Sequence, residues 1–141
     1  MIQTLQTLFS SGEATLALVK NEEIVFTVYG RGIAPALELY DLHPALLEGA
    51  DVNDLIVGKA AASLFLLGGA NSVYGFTMSR KARDLLQSCG VRCGFETLTD
   101  DIFNRDGTGL CPFEQAVAPF DTPADCLPAI RRTLSLMRAR K

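Results

Sequence analysis

The 141-residue sequence has one histidine, His43. Asp41, two residues before it, diverges from it on a helix, so the two do not read as an acid–base pair. No apolar stretch is long enough for a membrane. The most apolar run, Leu55 to Ala70, falls short of the roughly 20 residues a spanning helix needs and carries Lys59. The opening MIQTLQTLFSSGE lacks the basic start and long apolar centre of an export signal, so a cytoplasmic protein is expected. Repeats, low-complexity tracts and linkers are also missing, which points to one domain over 1–141. With a net charge of −3, no global field draws the chain to nucleic acid or to an anionic membrane. What charge asymmetry there is lies at the end, in Arg131, Arg132, Arg138, Arg140 and Lys141. These suit the end of a helix, with a small RNA-binding patch as the other reading.

What is present is an ordinary globular balance, 48% hydrophobic and 21% charged, enough to bury a sizeable core. Cys89, Cys93, Cys111 and Cys126 read as reduced thiols, since a domain of this size needs no covalent staples. Cys89 and Cys93 form a C-x3-C pair, but no second close-set pair accompanies them, so the spacing does not make a structural zinc site.

Periodicity and breakers divide the chain. Residues 2–10 predict a short helix with Ile2, Leu5, Leu8 and Phe9 on one side. TLALVK (15–20) and EIVFTVY (23–29), joined by Asn21-Glu22, predict a β-hairpin. A helix is expected from Ala36 to about Leu47, kinked or split at Pro44. Asp51 to Asp54 read as caps for a further helix over about 54–67, stopped by Gly68-Gly69. SVYGFTM (72–78) is the third strand, RKARDLLQSC (80–89) a helix capped by Ser79, and RCGFETL (92–98) the fourth strand. Helices over 112–118 and about 122–138 close the chain. A hairpin followed by strand–helix alternation implies an α/β fold with a mixed sheet, and right-handed crossovers suggest helices on both faces. Ligands of such folds sit at the carboxyl ends of strands, beside helix starts. That directs attention to Lys59, Ser79 and Pro112.

This element order, with DLIVGKAAA (54–62), the strand–Ser79 junction and NRDGTGLCPFE (104–114), resembles an uncharacterised bacterial family of cytidine-deaminase-like fold. The resemblance covers about residues 10–118, with the last helix outside it, and implies a three-layer α/β/α sandwich. Zinc deaminases of that fold carry His-x-Glu or Cys-x-Glu at one helix start and Pro-Cys-x-x-Cys at the next. Here the first position falls on GKAAA, without His, Cys or Glu. The second falls on TMSRKA, with Ser79 and Ala82 where thiolates would stand. The resemblance thus implies the fold with no metal and no other cofactor, and not zinc-dependent deamination.

Among candidate site residues Lys59 is the most unusual, a cation beside Gly58, Ala60, Ala61 and Ala62. It either snorkels or pairs at the rim, or it holds an anion. Ser79 caps its helix and can add a hydrogen bond to a ligand at the same N-terminus. In the second stretch, Gly107 and Gly109 allow a tight loop, and Asn104, Arg105 and Thr108 supply polar groups. Cys111, just before Pro112, is a candidate nucleophile or an inert wall, and Glu114 is expected to close a capping arrangement with Cys111 or Thr108 as neighbours. Asp100, Asp101, Asp51 and Asp54 read as caps and turn formers. The expected partner is a small anionic ligand, a nucleotide or nucleotide derivative, bound by Lys59, Ser79, Asn104, Arg105 and Glu114, with catalysis left open. The other reading is a regulatory or interaction protein that forms homo-oligomers through helix faces.

Overall fold

The computed structural model describes residues 1–104, 107 and 109–139. The first helix, α1 (Ile2–Ser10), is followed by β1 (Leu16–Lys20) and β2 (Glu23–Val28), an antiparallel hairpin as expected. Its two connecting residues, Asn21 and Glu22, have φ of 52° and 66°. Left-handed backbone at both positions gives the turn a twist that matches the strands it joins. The next helical stretch is split at Pro44 into α2 (Ala34–Leu42) and α3 (Pro44–Leu47). His43, between them, leaves helical geometry at φ −133° and ψ 49°, because a residue before proline is crowded out of the α region.

The expected helix over 54–67 is corrected. Asp51–Val57 is a strand, β3, and the helix α4 starts only at Lys59 and runs to Leu67. Asp and Asn are poor strand formers, so the run DVND resembles a set of caps. Pairing decides otherwise, because β3 lies between β1 and β4 with backbone partners on both sides. Asp51 therefore caps nothing. It accepts hydrogen bonds from Ser72 Oγ at 2.7 Å and Asn71 Nδ2 at 2.8 Å, fastening the start of β3 to that of β4. Burial pushes its pKa up, but those hydrogen bonds and the charge of Arg92 together hold it below the usual carboxylate value.

β4 (Ser72–Ser79), α5 (Arg80–Ser88), β5 (Arg92–Thr99), α6 (Pro112–Val117) and α7 (Pro123–Ala139) complete the chain. The five strands form one mixed sheet in the order β2-β1-β3-β4-β5, with β3, β4 and β5 parallel. Both parallel crossovers step the same way along the sheet, so right-handedness puts α4 and α5 on one face. On β1, Leu16 and Leu18 point to that face and Ala17 to the other. The main core joins Leu16, Leu18, Val52 and Val73 to α2, α4 and α5, with α6 and α7 packed over α4. On the opposite face, among the described residues, α1 is the helix that covers Ala17, Leu55 and Phe76. Helices flank both faces, but very unequally. The last helix belongs to the main core, to which it contributes the buried Cys126 and Ile130.

Candidate functional site

The parallel strands bring the candidate residues to one edge. Val57 pairs with Met78 and Ser79 with Thr99, so the end of β3, the end of β4 and the end of β5 stand side by side. The starts of α4 and α5 are therefore neighbours, as strand–helix alternation led one to expect.

Lys59 is the first residue of α4, and its groups are already engaged. Its backbone N–H donates to Glu114 Oε1 at 2.8 Å, and that of Ala60 donates to Glu114 Oε2 at 2.9 Å. A helix start leaves such N–H groups without partners inside the helix, and a carboxylate suits both their hydrogens and the helix dipole. Gly58 makes the approach feasible: a Cβ there would lie 2.6 Å from Glu114 Cδ and Oε1. Meanwhile Lys59 Nζ donates to Val117 O at 3.0 Å and to Phe120 O, at the end of α6. Each helix thus receives a capping group from the other: α6 sends Glu114 to the start of α4, and α4 sends the Lys59 ammonium to the end of α6. Glu114 does not close a capping arrangement with Cys111, as expected from sequence. It reaches 55 residues back along the chain instead, a distance no local spacing reveals.

Ser79 is 1% exposed, and its Oγ accepts from Ala82 N–H at 3.1 Å, capping α5. Its hydroxyl is turned to its own helix, and the starts of α4 and α5 share an edge of the sheet. Beside Ser79, Arg80 pairs with Asp100 at 2.8 Å and Lys81 with Asp101 at 3.2 Å. Asp100 and Asp101 are thus counterions as well as turn residues. After them, the loop doubles back. Cys111 N–H donates to Ile102 O, Phe103 bridges Leu110, and Asn104 N–H donates to Gly109 O at 2.8 Å. Gly107, at φ +69°, has the left-handed backbone this turn uses. Arg105 and Thr108, both expected near a ligand, lie outside the described residues, as do Arg140 and Lys141.

Cys111 occupies the position before α6 and packs, half-buried, against the main core without a side-chain capping bond. His43 lies elsewhere, its ring 4.6 Å from that of Phe26 on β2, at the far edge of the sheet. The one histidine is therefore not paired with this cysteine.

Sequence reasoning did not single out Asp54 as a buried acid. It is only 9% exposed in the middle of the sheet, opposite Leu16 of β1 and Gly75 of β4. Burial pushes its pKa up to about 8, against the opposing effect of hydrogen bonds from the Leu55 and Ile56 N–H groups. At neutral pH it is mostly a neutral acid. The signal would have been recognising DVNDLIV as a strand. Among the described residues, no group of three or more His, Cys, Asp or Glu side chains converges as a metal-binding set. No described helix is long and apolar enough to cross a membrane.

The model of the TM1506 family, a domain of unknown function (DUF1893), matches residues 4–134. That span exceeds the expected 10–118 and takes in most of α7. A crystal structure of a DUF1893 family protein, TM1506 from Thermotoga maritima, is similar with a TM-score of 0.80 at 28% identity, covering 95% of this chain and 88% of that one. No curated protein matches.

Proposed function

The chain belongs to the TM1506 family of domains of unknown function (DUF1893), and from that premise we propose that it is a cytoplasmic interaction module of deaminase-like fold that works without a metal. The fold reading is supported by two helix starts set side by side at the ends of β3 and β4, where the deaminase resemblance puts its ligands. The side chains there are Lys59, Ala61, Ser79 and Ala82, which offer zinc no thiolate or imidazole. Four free cysteines suit a reducing compartment.

The observation that carries the interaction reading is the exchange of caps between α4 and α6. The groups that would hold a ligand anion hold the chain's own carboxylate and carbonyls. A site spent on fastening α6 leaves recognition to the surface.

A second reading, binding of a small anion such as a nucleotide, is favoured by the chemistry of the same seat. Two adjacent N–H groups with room left by Gly58 already donate to a carboxylate. Under this reading the ligand displaces Glu114. Ser79, Asn104 and Arg105 then furnish contacts, and Cys111 is a wall or a nucleophile.

Thermal denaturation of the wild type, Lys59→Met and Glu114→Ala, with and without phosphate or nucleotides at constant ionic strength, separates the two. The interaction reading expects each substitution to cost about 1–3 kcal/mol, through orphaned carbonyls or N–H groups, and no ligand to shift the wild type. Stabilisation of the wild type by a nucleotide, lost in Lys59→Met, would overturn it in favour of the second.

A further inference from the structure

β5 is the last strand of the sheet, and eight residues long. Its outer edge is paired with no described strand, and Arg92, Phe95, Glu96 and Thr97 along it are exposed. An open edge of this length is a template for another strand. Its own sequence says which strand fits. Arg92 and Gly94 lie on the α1 face with Ser72 and Tyr74, and Glu96 follows beside Phe76. Cys93 and Phe95 lie on the other face with Val73 and Gly75.

We propose that β5 of a second copy of this chain pairs with it antiparallel, about a twofold axis at Gly94. In that register Arg92 stands opposite Glu96 of the second copy, and Glu96 opposite its Arg92. On the other face Cys93 meets Phe95, and Phe95 meets Cys93. The strand is self-complementary in charge on one face and apolar on the other, as an isologous interface requires. Opposite charges and aromatic residues directly across an antiparallel pair each contribute favourably.

The α1 face supplies a second, independent reason. Tyr74 covers the edge glycine: a Cβ on Gly94 would lie 3.2 Å from Tyr74 Cδ2. Tyr74 meets Phe76 edge-on with centroids 5.3 Å apart, and Phe76 meets Phe9 likewise at 5.3 Å. This aromatic row leads from beneath α1 to the sheet edge. Among the described residues, α1 is the helix on this face, packed on Ala17, Leu55 and Phe76. Across Gly94 the row continues into Tyr74 of the second copy. Each copy carries a net charge of −3, so general attraction does not drive the contact, and the specific Arg92–Glu96 pairs select the register.

This proposal deepens the interaction reading by naming the partner. Sedimentation equilibrium tests it on the wild type, Arg92→Glu, Glu96→Arg and the double swap, with thermal denaturation confirming that each variant folds. The wild type is expected to dimerise. Either single reversal, which sets like charges opposite one another twice, should weaken association by about tenfold or more, and the double swap should restore it. A monomeric wild type would overturn the pairing, as would a dimer indifferent to the single reversals or one that the swap fails to rescue. Nucleotide stabilisation, by contrast, would sink the interaction reading while leaving this sedimentation result untouched.

Discussion

Asp54 is a carboxylic acid set in a central strand, and its pKa of about 8 ties stability to pH. The unfolded chain releases this proton near the ordinary value of 3.8, whereas the folded chain keeps it to about pH 8. Over that window the folded state binds more protons. The contribution is fully present below the unfolded value and is lost as pH rises through the folded one. Asp54→Asn keeps the size of the side chain and one of its oxygens and has no charge to lose. Urea unfolding of the wild type should show stability falling from pH 5 to pH 8.5 by an amount on the order of a few kcal/mol, and the variant should remove most of that slope. Equal slopes in both proteins would mean that Asp54 is ionised in the fold. This residue was hidden because its environment comes from β1 and β4, far away in sequence. Ser79 was legible for the opposite reason: its cap is made three residues ahead, to Ala82. Lys59 was conspicuous, yet its partners Val117 and Phe120 lie 58 and 61 residues on.

Elements with local logic could be read directly. The hairpin follows from two β-rich runs and a two-residue connection, and α5 from its cap, its amphipathic pattern and Gly90 beyond it. β3 could not be read that way. Its aspartates and asparagine oppose strand formation, and two flanking strands override them. Misreading β3 also placed Lys59 inside a helix instead of at its start. The hairpin carries one local cost that can be removed. Glu22 has φ of 66°, where a side chain is strained and glycine is not. Glu22→Gly should raise stability in urea by about 0.5–1 kcal/mol, the turn then being Asn-Gly. A loss of similar size would show that the Glu22 side chain contributes more than its backbone strain costs.

Across the molecule, the α/β plan with a mixed sheet follows from element order, while the unequal covering of its faces does not. That depends on both crossovers stepping toward β5, a matter of strand order. The same order lines up the starts of α4 and α5 at one edge, a juxtaposition that strand–helix alternation leads one to expect. The closure of that edge by Glu114 depends on where α6 returns after the 100–111 loop, which spacing does not encode. α7 then rests on both α4 and α6 and is tied to α2 by the Arg131–Asp41 pair at 2.9 and 3.2 Å. That pair is exposed, and contributes at most about 1 kcal/mol. The Lys59–Glu114 exchange, at the joint between α4 and α6, is the central structural claim. Amide hydrogen exchange at Lys59 and Ala60 tests it most directly. First-turn amides of a helix ordinarily lack partners and exchange readily, but here both should be protected in the wild type, and Glu114→Ala should abolish that protection while the amides of β3 and β4 keep theirs. Rapid exchange at both positions in the wild type, or protection that survives Glu114→Ala, would contradict it.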